Sequence, residues 1–238
     1  MDWAGEGILL SVRPHGESAA ILDVLSPDLG RHKGVVRGGT GRKMAPILQP
    51  GNDLHLTWRA RLDAHLGHFA VEPLRQRAPL IMADAERLAA LNSMCALAVF
   101  ALPEREPQPR LFAVTRVLLD RLADGAPWFG VYLAWERALL EDTGYGLDLE
   151  RCAVTGATEG LAHVSPRTGR AVTGQGAGAY AERLLPLPEL LRDPDAADDR
   201  EQMAQGLRTT GHFLNDVLAP ALGDRPLPVA RARLVARF

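Results

Sequence analysis

The sequence predicts an α+β chain of more than one domain: a small five-stranded β-barrel at the front and an all-helical body behind it, broken by an irregular insertion. Three observations carry this. Between residues 3 and 71, short apolar runs are punctuated by turn residues and no helical period is sustained. From Asp84 onward, apolar residues recur at helical spacing. Between residues 151 and 181 that spacing lapses in a stretch rich in Gly and Thr.

At the front, residues 7–13 (GILLSVR) and 19–25 (AAILDVL) read as two strands joined by the turn residues Pro14, His15 and Gly16. A second turn at 26–30 (SPDLG) leads to a third strand over 31–37, and residues 54–58 and 62–71 supply a fourth and fifth. In the last, Leu66, His68 and Ala70 alternate with Gly67, Phe69 and Val71. Five strands in so short a span favour closure, because a barrel has no exposed edge. An OB-fold fits this pattern, and an SH3-like barrel fits it as well.

The boundary is set at residue 78, with the barrel over 1–78 and the helical domain over 79–238. Asp84 reads as the N-cap of a helix reaching Leu102, with Leu88, Leu91, Cys95 and Ala98 on one face. Residues 103–109 form a proline-bearing linker. A second helix carries Leu111, Val114, Leu118 and Leu122 and stops at Gly125, and a third runs from Pro127 as first helical residue to Gly144. The insertion at about 150–181 reads as too polar for core. Residues 184–191 (LLPLPELL) must dock on something apolar; a long helix follows from Asp198, and residues 229–238 read as a short basic helix.

With 238 residues, 47% hydrophobic and 24% charged, the composition is that of an ordinary folded chain. Two cysteines, Cys95 and Cys152, cannot make a disulfide framework or a four-cysteine metal site, and they suit a reducing compartment. No secretory start and no membrane-length apolar run is present, so the expectation is a cytoplasmic protein with no membrane partner.

The net charge of −2 hides a concentration of cations at 30–43 (GRHKGVVRGGTGRK), where Arg31, Lys33, Arg37, Arg42 and Lys43 occur without a carboxylate. A glycine-rich loop with such a field suits a polyanion, and DNA phosphates are neutralised by Lys and Arg with little regard to sequence. The same stretch also reads as a solvated surface hairpin. Arg59, Arg61 and Arg75 extend the candidate surface as lesser candidates. Trp58 could stack on a base if exposed, although a large aromatic in a barrel strand belongs by default to the core.

Signals for chemistry are weak. From Gly34 a phosphate-binding loop would need a lysine where Thr40 stands. Residues 174–179 (GQGAGA) lack the strand and helix that a dinucleotide fingerprint requires. His65 and His68, read in a strand, fall on opposite faces and make no joint metal site. No nucleophile elbow or HExxH run occurs, so a non-enzyme is expected, with no cofactor and no small-molecule substrate.

Residues 11–18 (SVRPHGES), 22–25 (LDVL), Gly30-Arg31, the basic run 37–43 and 48–50 (LQP) together resemble RecO, the bacterial recombination mediator family. Residues 145–149 (YGLDL) ahead of Arg151-Cys152, and 218–223 (LAPALG) with Pro226-Leu227, extend the resemblance over nearly the whole chain. The resemblance implies an N-terminal OB-fold, a helical C-terminal domain and an insertion that in some members is a four-cysteine zinc module. Here only Cys152 of that set remains, with Thr155 at the second position, so a zinc-free insertion is expected.

The resemblance further implies a DNA repair and homologous recombination mediator of the RecF pathway, acting at the nucleoid. It would bind single- and double-stranded DNA, anneal complementary strands and, with RecR, help load RecA onto strands coated by single-strand binding protein. The acidic C-terminal tail of that protein would need an apolar pocket beside a cation, for which Arg110, Arg116, Arg121 and Arg137 are candidates. The alternative is a protein-interaction adaptor with little DNA affinity of its own.

Overall fold

A computed structural model describes residues 2–62 and 65–238. The chain falls into two compact units, Met1–Asp124 and Gly125–Phe238.

In the first unit, β1 (Asp2–His15), β2 (Ala19–Ser26), β3 (Gly30–Val36), β4 (Asp53–Arg59) and β5 (His68–Arg75) close into a barrel in the order β1-β2-β3-β5-β4. β1 is long because it serves two partners: residues 2–8 pair with β4 and residues 8–15 with β2, with a register shift between Leu9 and Ser11. Residues 2–6 carry no strand pattern of their own and are strand because β4 lies beside them. Leu9, Leu22, Val24, Leu54, Leu56, Trp58 and Phe69 fill the barrel. Ile8, on the opposite face of β1, is also fully buried, and helix α2 (Ala85–Ala101) packs against that strand.

The fifth strand lies further along than its alternation predicts, at His68–Arg75 instead of 62–71. Gly67 ends the preceding connection with φ +66, a left-handed turn that no strand continues through. At its far end the strand passes through Pro73, which pairs with Leu54 beside a register shift, one of the few places where a residue without an N–H fits a ladder. β3 and β5 share one parallel pair, Val35 with His68. Lower down, β3 is accompanied by the linker after α2: Arg31 bridges to Glu104, and the Arg105 amide donates to the Arg31 carbonyl at 2.7 Å.

The β3–β4 connection is not the flexible basic loop that its glycines suggest. It is a succession of tight turns, with Met44 and Ala45 donating to the Gly41 carbonyl at 2.9 and 3.0 Å, and it is pinned to the barrel by buried Leu48 and part-buried Met44 and Ile47. Asn52 closes it, donating to the Ile47 carbonyl at 3.0 Å and accepting from the Ala78 amide at 3.0 Å. That second bond reaches the short helix α1 (Ala78–Ile81). Asp84 caps α2 by accepting from the Glu86 and Arg87 amides, and α3 (Pro109–Asp124) completes the unit.

The second unit is organised on α4 (Phe129–Asp142), which begins after Pro127 and whose first amides, from Trp128 and Phe129, donate to Asp198. The insertion is partly ordered sheet. β6 (Leu161–Val164), β7 (Ala171–Thr173) and β8 (Leu185–Pro186) form a three-stranded sheet in the order β7-β6-β8, with α5 (Gly174–Ala177) after β7. Its Leu161, Val164, Ala171 and Val172 are buried, so a stretch that looked too polar for core has a small one.

α6 (Arg200–Phe213) packs on α4 and continues through a π-helical turn at Leu214–Leu218 into α7 (Ala219–Ala221). A Cβ on Gly206 would lie 2.3 Å from the end of the Leu133 side chain, so a larger residue there would force that buried leucine to move. The last helix, α8 (Val229–Val235), is less basic at its surface than its sequence suggests. Arg231 is buried and forms a two-pronged pair with the fully buried Glu136, at 2.9 and 3.0 Å. Among the described residues no helix is long and apolar enough to cross a membrane.

Candidate nucleic-acid interface

The ends of β3, β4 and β5 and the turns of the β3–β4 connection surround a cleft of about 660 Å³. Its floor is apolar, with Val36, Phe69 and Val71, and its rim carries Arg37, Arg59 and His68. A second recess of about 370 Å³ is lined by Arg59, Arg61, His65, Gly67 and His68. Because Arg59 and His68 line both, the two make one continuous surface.

Arg37, Arg59 and Arg61 are exposed, and among the described residues no carboxylate pairs with them. Arg42 and Lys43 are exposed on the turns beside Met44, which lines the larger cleft, although neither lines it directly. His65 and His68 line the same recess, because His65 lies ahead of β5 in the connection and not, as expected, in the strand with His68.

Arg31 and Lys33 are placed elsewhere. Arg31 is buried at 8% exposure, donates to the Val99 carbonyl and pairs with Glu104 at 3.3 Å and Asp23 at 3.8 Å, while Lys33 closes on the same Glu104. Partial burial works against the Glu104 carboxylate, but Lys33 and Arg31 more than offset it and lower its pKa. Burial raises the pKa of Asp23 despite the pull of the same two cations. These side chains fasten the α2–α3 linker to β3 and are withdrawn from the cationic surface. Arg75 is likewise taken up, by Asp120 at 2.7 Å and Asp124 at 3.9 Å.

Trp58 is core, at 1% exposure, and serves as the floor under the β4–β5 connection. Its indole donates to the Leu66 carbonyl at 3.1 Å, and a Cβ on Gly67 would lie 2.4 Å from its ring. The Arg105 guanidinium lies 5.7 Å from the ring centroid and donates to the His65 carbonyl at 3.3 Å. Of the four arginines considered for an acidic tail, Arg116 pairs with Glu6 at 3.2 Å and Asp53 at 3.7 Å, and Arg137 donates to the Leu191 carbonyl at 2.8 Å. Arg110 and Arg121 are engaged as well.

A family model described as "Recombination protein O N terminal" matches residues 1–77, which include the whole cleft. A second, "Recombination protein O C terminal", matches residues 82–226. The chain belongs to the RecO family. Its relatives include the DNA repair protein RecO of Roseobacter denitrificans, 57% identical over 238 residues, covering 100% of this chain and 98% of that one. The DNA repair protein RecO of Ruegeria sp. (strain TM1040) is 55% identical over 235 residues, covering 99% and 97%.

In this RecO-family chain, polar groups of the insertion gather around one buried thiol. The Cys152 thiol accepts from the amides of Val154 and Thr155 at 3.4 Å each and of Thr173 at 3.2 Å, and lies 3.5 Å from the Thr173 hydroxyl. A Cβ on Gly176 would lie 3.2 Å from the same sulfur. Positions 152, 155, 173 and 176 therefore converge, and Thr173 with Gly176 repeats the spacing of Cys152 with Thr155, a signal the sequence reading passed over. One thiol, two hydroxyls and a glycine do not suit zinc, which takes four sulfur or nitrogen donors in a structural site. Among the described residues no group of three or more His, Cys, Asp or Glu is placed to hold a metal ion. Desolvation disfavours the Cys152 thiolate, but the hydrogen bonds from Thr155 and Thr173 prevail and bring its pKa down to about 6.

Proposed function

We propose that this RecO-family chain is a DNA repair and recombination mediator of the RecF pathway that holds single- and double-stranded DNA on the cationic cleft of its barrel. It anneals complementary strands and, with RecR, helps load RecA onto strands coated by single-strand binding protein, whose acidic tail it docks. The observation that carries this reading is the set Arg37, Arg59 and Arg61, exposed along two adjoining recesses that share Arg59 and unpaired with carboxylates among the described residues. Arg42 and Lys43 extend the surface.

Several features support it. The closed five-stranded barrel in the order β1-β2-β3-β5-β4 supports an OB-fold reading, and that fold recurrently binds oligonucleotides. Guanidinium groups at a groove rim hold phosphates without reading bases, which suits a protein that must accept any sequence. Annealing brings two polyanions together, and a cationic surface screens their repulsion without a chemical step. The reading is therefore non-enzymatic, with no cofactor, and the insertion works without zinc. The barrel of residues 1–78 carries the DNA and the helical residues 79–238 serve the protein partners, in the cytoplasm at the nucleoid.

The test is a salt titration of binding by fluorescence anisotropy. For Arg37→Ala/Arg59→Ala/Arg61→Ala, the dependence of log affinity on log salt for single strands should be shallower by about 2, since each lost phosphate contact removes roughly 0.7. The loss should be uniform across sequences. An unchanged slope would remove the cleft from the account, and no salt-dependent binding by the unaltered chain would favour a protein-interaction adaptor.

A further inference from the structure

The last helix is held in place more by polar groups than by apolar ones. On α8, Leu234 is fully buried, whereas Val229 is 65% exposed and Val235 39%. The anchor is Arg231, whose guanidinium reaches the Glu136 carboxylate on α4 at 2.9 and 3.0 Å and the Leu207 carbonyl on α6 at 2.9 Å. The hydroxyls of Tyr132, at 3.1 Å, and Thr210 donate to the same carboxylate. Without a guanidinium, this seat would hold a fully buried carboxylate with no opposite charge. Past the helix, the Phe238 ring lies 5.0 Å from that of Phe129, with the Arg200 guanidinium 4.6 Å from its centroid. The segment that joins α7 to α8, residues 222–228 (LGDRPLP), turns through two successive left-handed residues, Gly223 at φ +86 and Asp224 at φ +54. Glycine takes that conformation freely, an aspartate only at some cost. Pro226 and Pro228 bias the residues before them toward extended backbone.

The seat on α4 and α6 therefore fits one chemistry: a short helix with an arginine, a leucine three residues on and an aromatic four beyond that. The α8 of any copy of this chain supplies it. The connecting segment is short, strained at Asp224 and stiffened by its prolines, and such hinges invite the exchange of an element between identical chains. We propose that two copies of this chain exchange α8, each laying its Arg231 on Glu136 of the other. Every contact of α8 is made again in the exchanged dimer. What changes is the hinge, which extends to as much as about 23 Å and lets Asp224 leave its left-handed conformation. The ion pair is a weak barrier to opening, because both charges recover hydration as they part. An exchanged dimer carries two of the cationic clefts in one particle. Its use in bringing two strands together rests on the DNA-binding reading above; the exchange itself does not, and it is measured without DNA.

Two variants of the full chain test this by complementation. Glu136→Gln spoils the seat and leaves α8 intact, and Arg231→Gln does the reverse. Each alone leaves one buried charge unanswered and should melt roughly 10 °C below the unaltered chain. Mixed in equal amounts and incubated to equilibrium, the two should form a heterodimer, because exchange restores the ion pair in one seat and sets two neutral amides together in the other. Light scattering during size exclusion should show a particle of twice the chain mass, and it should melt above either variant alone. If one variant is too unstable to fold by itself, the mixture should still yield that folded particle. A mixture that stays monomeric, with each component melting at its own temperature, overturns the proposal. So does a dimer from Glu136→Gln mixed with Glu136→Gln/Arg231→Gln, where no pair can be restored and association must run through another surface. The unaltered chain should show the same dimer as it approaches ~1 mM, the effective concentration of a short linker, and a chain that remains monomeric there would contradict the exchange. Failure of the DNA-binding reading has a different signature, the absence of salt-dependent binding in the unaltered chain.

Discussion

Two groups of cations from the same barrel meet different fates. Arg31 and Lys33, in the middle of β3, close on Glu104 and help to hold the α2–α3 linker against the strand. Arg37, just past the end of that strand, shares a cleft with Arg59, which in turn shares a recess with Arg61. Among the described residues no carboxylate answers these three. What separates the groups is not their own sequence but the acid that reaches them from far along the chain. A charge neutralised inside the molecule contributes to its folding. A charge left outside is available to a partner.

The comparison can be broken most directly at Arg31. Arg31→Met would leave Asp23 and Glu104 without their shared partner, and about 2–4 kcal/mol of stability should be lost in urea unfolding. The folded fraction should still bind single strands within about twofold of the unaltered chain. A drop like that of the cleft variant would show that the two groups are not separate.

A smaller effect, of opposite sign for stability and binding, is expected at Glu104. Its carboxylate is 40% exposed, so Glu104→Gln should cost only about 1 kcal/mol. It releases Lys33 on the barrel surface, and DNA affinity should rise about twofold at low salt. Unfolding curves and anisotropy on the same preparation would show whether the two changes move apart as expected.

Cys152 is a further internal group whose charged form is favoured, here by hydrogen bonds instead of a cation. Its folded pKa of about 6 lies below that of an unfolded thiol. The unfolded chain therefore holds the extra proton between that pH and about 8.5, and stability should rise with pH across this window. The gap in melting temperature between the unaltered chain and Cys152→Ser should widen from pH 6 to pH 8.5. Thiolate absorbance should appear with a midpoint near pH 6, with Cys95 silent because burial pushes its thiol up to about 12. A midpoint near that of a free thiol would mean that the amide cradle does not hold in solution.

Much of the barrel was legible in sequence because turn residues bracket its strands. The second, third and fourth strands lie within a residue of their expected bounds. The fifth was shifted because alternation runs unbroken through Gly67, and only the backbone angle there shows that the chain is still turning. The insertion was unreadable for a different reason. Its strands are two to four residues long, too short to display a period. For the site, Arg37, Arg59 and Arg61 could be named because they flank strand ends, where side chains face solvent. The loss of Arg31 and Lys33 could not, because nothing local to β3 announces Glu104.

The central claim is that unclasped cations, and not cations in general, make the DNA surface. The most direct measurement sets Lys33→Ala beside Arg37→Ala/Arg59→Ala/Arg61→Ala and compares their salt slopes for one single strand with that of the unaltered chain. The account predicts an unchanged slope for Lys33→Ala and a slope shallower by about 2 for the triple variant. Equal flattening per cation removed in the two variants would contradict it.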